Sequence, residues 1–249
     1  MKATLITCAT SGMGSKIAES IKTDKLILTG RNQEKLNALC QKDTQRIAGV
    51  QLDFFDDASI ESAAFNIAEI GKVDKVVFII PRIPPSNDIF PDNETWLQLY
   101  QNYFIRPLSL LKQLFDQGVI NDDAKIVFIS GLSSKSALTH YATNNCLRSA
   151  WLGQAKAMAL SLGERGISVN TLSLGGVMTE SYTEKMQKKA MSQGLSFEEL
   201  MNNEVSNVPL RKYASVEDVV NAVQSLLGPL ANHMTGQNIL LDGGFFKGY

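Results

Sequence analysis

Strand-length runs of aliphatic and β-branched residues alternate with amphipathic stretches along almost the whole chain. Residues 3–7, 25–29, 50–53, 76–80, 126–129, 167–172 and 239–241 read as seven strands. Runs 76–80 and 126–129 lack polar alternation, as expected of central parallel strands covered on both faces. The segments between them have helical period: residues 15–22 carry a stripe of Ile17, Ala18 and Ile21, and Asn32 is placed to cap a helix reaching about residue 42. Further helices are predicted over 60–70, 94–115 and 142–162. The pattern predicts a single-domain α/β fold: a doubly wound, seven-stranded parallel sheet with helices on both faces.

Two stretches interrupt the rhythm, residues 81–91 with four of the seven prolines and residues 174–208 with a charged, Met-rich helical patch. Both follow strand C-termini, where ligands of such sheets bind. Residues 174–208 are therefore expected to act as a lid over a substrate, with a peripheral packing helix as the other reading.

The first run enters Thr7-Cys8-Ala9-Thr10-Ser11-Gly12-Met13-Gly14 and then a helix. A strand turning sharply into a helix offers an anion free backbone N–H groups and the positive end of the dipole, and glycines let the backbone come close. A purely structural tight turn would favour the same residues.

Composition narrows the partners. A net charge of −1 with 24 basic and 25 acidic residues gives no basic stripe for nucleic acid. No apolar run reaches transmembrane length, so no membrane partner is expected. Cys8, Cys40 and Cys146 are odd in number and form no Cys-x-x-Cys pair, which argues against a disulfide framework or a zinc site and suits the cytoplasm.

Thr7-x-x-x-x-Gly12-x-Gly14, Asp53 closing the third strand, Val169-Asn170 with Gly175 and Thr179, Thr235-Gly236-Gln237, and Asp242-Gly243-Gly244 together resemble the short-chain dehydrogenase/reductase family, in its order and spacing over nearly the whole chain. The resemblance implies a Rossmann fold and a dinucleotide cofactor, with Thr7, Ser11, Gly12, Met13 and Gly14 in the pyrophosphate turn. Asp53 would meet the adenine, and Val177 with Thr179 the nicotinamide carboxamide. Arg31 stands where NAD-preferring members place an acid, and an arginine there suits a 2′-phosphate, so NADP(H) is expected over NAD(H). A homo-oligomer, most often a tetramer, is also implied, and Leu108, Leu111, Leu147 and Trp151 look like surplus apolar surface on the two long helices.

The departures from the family pattern fall at its chemistry. Cys8 replaces the first glycine, where a Cβ demands negative φ or a reshaped turn. Phe78-Ile79-Ile80-Pro81 stands where the family has Asn-Asn-Ala-Gly, removing polar side chains that tie neighbouring strands. Counting from fixed landmarks puts the tyrosine slot on Asn144, the lysine slot on Arg148, the serine slot on Gly131 and the asparagine slot on Tyr103. Tyr141 and Arg148 have the spacing of the Tyr and Lys of enoyl-thioester reductases in this superfamily, and Ser130 at the end of the fifth strand resembles that branch too. The candidate catalytic set is thus Tyr141 and Arg148, with Tyr103 as rival phenol and Asn144 and Ser130 nearby.

Two functions are expected on these grounds. One is an NADP(H)-dependent oxidoreductase reducing a small-molecule ketone or α,β-unsaturated carbonyl, such as an acyl thioester. The other is a cofactor-binding protein without turnover, a regulatory or partner subunit.

Overall fold

The computed structural model describes residues 1–10, 12–139 and 141–248. Strands β1 (Ala3–Ile6), β2 (Lys25–Gly30), β3 (Ile47–Gln51), β4 (Val73–Ile79), β5 (Ile120–Gly131), β6 (Ser168–Leu174) and β7 (Asn238–Leu241) form one sheet. Its order is β3-β2-β1-β4-β5-β6-β7, with every pairing parallel. Consecutive residues of the central strands point to opposite faces, and both faces are covered. Leu5, Val76 and Ile126 belong to one core with α3 (Asp57–Ile70), α5 (Arg106–Asp116) and α6 (Ala142–Leu162). Ile6, Val77 and Val127 belong to the other with α1 (Gly12–Ser20), α2 (Gln33–Cys40) and α9 (Val216–Leu227). This double burial is why the strands read as unbroken apolar runs.

The chain winds outward from β1 to β3, returns, and continues on the other side through β4, so the crevice at the strand C-termini opens between β1 and β4.

Several boundaries differ from the sequence reading for identifiable reasons. The third strand is residues 47–51 rather than 50–53, because Asp53 lies in a turn: its Oδ1 accepts the Phe55 N–H at 2.9 Å, and Ser59 Oγ accepts the Asp53 N–H at 2.9 Å. The helix expected over 94–115 is divided into α4 (Asn93–Tyr100) and α5 by a π-helical turn, Gln101–Ile105. The wide turn opens the backbone ladder, and the Trp151 indole N–H donates to the Tyr103 carbonyl at 2.8 Å. Helix α9 was not anticipated; a reciprocal capping box between Ser215 and Asp218 starts it.

Leu111, Leu147 and Trp151 are buried in this chain's own core and Leu108 packs against it, so they supply no surplus surface. The exposed aliphatics of these helices are Leu97 at 72 %, Ile105 at 50 % and Leu160 at 77 %. Among the described residues no helix is long and apolar enough to cross a membrane.

Candidate active site

The turn after β1 is built for close approach. Cys8 takes the left-handed conformation itself, with φ 51, so the backbone path of a glycine is kept at the expense of strain rather than reshaped. Burial pushes its thiol up to about 12, with Arg31 opposing and Asp53 adding to the shift, so the thiol stays protonated. A Cβ at Gly14 would lie 2.4 Å from the Cys8 carbonyl oxygen, and one at Gly30 would lie 2.4 Å from Thr10 Cγ2. Glycine at these two positions lets the turn, the start of α1 and the end of β2 meet around an open cradle. Ser11 lies outside the described residues.

Thr7 lies beneath this cradle, fully buried, and does not line the cleft. Its hydroxyl donates to the Ile79 carbonyl at 2.7 Å and accepts the Ile79 N–H at 2.7 Å, tying β1 to β4. The tie expected to be lost with Phe78-Ile79-Ile80-Pro81 is thus supplied from β1.

From the cradle a cleft of about 830 Å³ runs across the C-terminal ends of the strands. Phe78, Phe128 and Trp151 line it and stack edge-on or tilted with centroids 5.4–5.8 Å apart, giving it an apolar wall. Its charged lining residues, among those described, are Arg31, Lys35, Arg82 and Arg148, with no carboxylate. Arg31 lies over the Phe55 ring at 5.8 Å, and the Asn32 side chain caps α2 by accepting the Lys35 N–H at 2.8 Å. A helix N-terminus, a guanidinium and an ammonium therefore face the cleft at the end of β2.

At the far end Arg148 projects from α6 across the end of β5. Its Nη1 donates to Ser133 Oγ at 2.9 Å. A Cβ at Gly131 would lie 2.1 Å from that same nitrogen and 2.5 Å from Cζ, so the guanidinium occupies the space a side chain at 131 would need. Burial pushes the Arg148 pKa down, Tyr141 works against the shift, and Arg82 adds to it. Ser130 lines the cleft beside it.

The other expected site residues divide sharply. Tyr141 is the N-cap of α6 rather than part of the helix, and its phenol is close enough to Arg148 to bear on its ionisation. Asn144 is 1 % exposed and off the cleft wall; its Nδ2 donates to the Ile83 carbonyl at 3.2 Å, pinning the proline-rich segment, while its Oδ1 has no partner among the described residues. Tyr103 packs edge-on to Phe55 at 5.4 Å; burial pushes its pKa up and Arg31 opposes this. Asp53 is engaged in its turn, Val177 packs in the core below the sheet end, and Thr179 caps α7 (Glu180–Gln193) by accepting the Tyr182 N–H at 3.3 Å. None of these six, Tyr141 included, lines the cleft, whereas Met13, Gly14 and Arg31 do.

The family model described as "Enoyl-(Acyl carrier protein) reductase" matches residues 8–246. The chain belongs to the short-chain dehydrogenase/reductase family. With membership comes the class of activity, that of an NAD(P)H-dependent short-chain reductase. A 3-oxoacyl-[acyl-carrier-protein] reductase of Rickettsia conorii is 29% identical over 257 residues, covering 98% of this chain and 96% of that protein. L-sorbose reductase of Gluconobacter frateurii, solved with NADPH and L-sorbose, superposes with a TM-score of 0.85 at 20% identity, covering 100% of this chain and 97% of the other. A short-chain oxidoreductase of Pseudomonas aeruginosa PAO1, described as containing an atypical catalytic center, superposes with a TM-score of 0.87 at 19% identity, covering 100% and 98%.

Against the pattern of this short-chain reductase family, sequence reasoning missed Lys35 and Arg82 on the cleft wall and the Tyr182–Tyr213 ring pair at 5.9 Å. Lys35 was detectable, since it follows Arg31 by four residues at a helix start. Arg82 stands in the proline-rich break, where no periodicity indicates direction.

Proposed function

We propose that this short-chain reductase uses NADP(H) in preference to NAD(H) and reduces a ketone or conjugated carbonyl. The observation that carries the reading is the cleft itself: at the sheet's switch point, four cations line it and no described carboxylate does. An adenosine 2′-phosphate would meet Arg31, Lys35 and the start of α2, and a pyrophosphate would meet the cradle formed by Thr10, Gly12, Met13 and Gly14. When bound, the reduced nicotinamide supplies hydride. The residues at the other end supply orientation, positive charge and a proton. Arg148 holds a fixed charge beside the reacting oxygen, where a buried site makes it effective, and Tyr141 donates to that oxygen. Arginine keeps its proton, so the phenol is the acid of the pair.

Residues 174–208, which contain α7 and α8 (Phe197–Glu204) with their own small core of Met186, Ala190 and Leu200, serve as the lid. A homotetramer would cover Leu97, Ile105 and Leu160. The unpaired cysteines fit a cytoplasmic protein. The relatives named 3-oxoacyl reductases and the NADPH-bound L-sorbose reductase support a carbonyl substrate.

NADPH oxidation by the purified protein across ketones and enoyl thioesters tests the reading. Turnover with one of the two groups, lost in Tyr141→Phe with NADPH binding retained, is the expected result. Tight NADPH binding with no turnover on any of them would favour a regulatory, cofactor-binding role instead.

A further inference from the structure

Arg148 is a mostly buried cation without a counter-ion among the described residues. It takes part in none of the ion pairs among the described residues, and its one polar side-chain partner there is Ser133. The ionisable groups that bear on it, among the described residues, are the Tyr141 phenol and a second guanidinium, Arg82. Folded proteins keep such a charge when it is paired or when a ligand completes it, because stripping its water is costly. Room has been made for it: Gly131 provides the space the planar group fills.

The cofactor reading on which this inference rests leaves Arg148 without an anion. A pyrophosphate belongs at the Gly14 cradle and a 2′-phosphate at Arg31 and Lys35. Arg31 follows β2, whereas Arg148 lies over the end of β5, three strand spacings or about 14 Å across the sheet. The nicotinamide end of the dinucleotide carries no negative charge.

We propose that the substrate supplies it: the protein acts on an oxo acid, whose carboxylate is gripped by the Arg148 fork with Arg82 as second cation at the mouth of the cleft. A guanidinium binds a carboxylate through two parallel N–H···O bonds, which a lysine at this position could not do. The carboxylate is not consumed. The carbonyl carbon gains one hydrogen with two electrons, its oxygen gains a proton, and the carboxylate stays on Arg148 before and after.

The test compares acetoacetate with its uncharged analogues methyl acetoacetate and acetoacetamide as substrates, and benzoate with benzamide as ligands that raise the thermal midpoint with and without NADPH. The acid is expected to exceed the ester in kcat/KM by about 10-fold or more, and Arg148→Gln, which removes the charge beside the reacting oxygen for both substrates, to cost the acid about 10-fold or more beyond its cost to the ester, with the excess mostly in KM. Benzoate but not benzamide should stabilise the wild type, and Arg148→Gln should abolish that shift. Arg82→Gln, on the exposed rim, gives the same direction with less risk to folding. Equal use of acid and ester, equal losses for both in Arg148→Gln, or no difference between benzoate and benzamide would overturn the proposal. Absence of NADPH binding alongside Arg148-dependent benzoate binding would sink the cofactor reading and leave the anion site standing.

Discussion

Replacing Gly131 by serine tests whether the residues at 131 and 148 form a steric pair. The new Cβ would stand 2.1 Å from Arg148 Nη1, 2.5 Å from Cζ and 2.9 Å from Nη2, all well inside contact distance. The guanidinium must swing away and give up its 2.9 Å hydrogen bond to Ser133. A hydrogen bond from a charged group contributes about 1.5–3 kcal/mol, and part is regained because the long side chain can reach the open cleft. A net loss of about 1–2 kcal/mol follows, or a fall in Tm of roughly 2–8 °C for a chain of this size. Arg148→Lys shortens the side chain and vacates the space, so Gly131→Ser made on that background should cost about 1 kcal/mol less. Thermal unfolding of the four proteins in the cycle measures this. Equal costs on the two backgrounds would refute the pairing.

Three further outcomes follow from other parts of the molecule. Cys8→Val should cost about 2–3 kcal/mol in urea unfolding, because a β-branched residue at φ 51 is strained, while Cys8→Gly is tolerated; the reverse ranking would contradict the left-handed turn. Asp24 is buried and ion-paired with Lys75 at 2.7 Å; burial raises its pKa, but the Lys75 and Thr4 hydrogen bonds and the Lys75 charge outweigh it and the net shift is downward. Its contribution is therefore complete above the ordinary carboxylate pKa and lost as pH falls through the lowered folded value, so Asp24→Asn should cost about 3 kcal/mol at pH 7 and far less in acid below that value; a penalty independent of pH would contradict the pairing. Tyr103→Phe should leave turnover within about twofold, since that phenol sits with Phe55 and Arg31, whereas Tyr141→Phe should lower it about 10²-fold, and steady-state assays of both variants decide between them.

The sheet was legible because its central strands are buried on both faces and carry little else than aliphatic residues, and the Asn32 cap and the glycines of the first turn are local signals. The break at Gln101–Ile105 was not: nothing in those five residues differs from ordinary helix, and the group that occupies the freed carbonyl, Trp151, comes from α6. Helix α9 was readable from Ser215-x-x-Asp218 followed by Val219, Val223 and Leu226 at helical spacing. Of the residues singled out at the site, Met13, Gly14, Arg31, Ser130 and Arg148 line the cleft, and Tyr141 does not. Thr7, Asp53, Val177, Thr179, Asn144 and Tyr103 were placed by position in a motif, and position does not say where a side chain points once Thr7 has become a strand tie and Thr179 a helix cap. The packing of Arg148 against Gly131 joins residues 17 apart on different elements, which no local pattern encodes.

The central claim is that the cleft is built for a dinucleotide bearing an extra phosphate. Calorimetric titration of NADPH and of NADH into one preparation of the purified protein tests it most directly. Arg31 and Lys35 are solvent-exposed, so each contact with a 2′-phosphate is worth about 1 kcal/mol, and NADPH should bind about 10- to 100-fold more tightly than NADH. Equal affinities, or tighter NADH, would contradict the account.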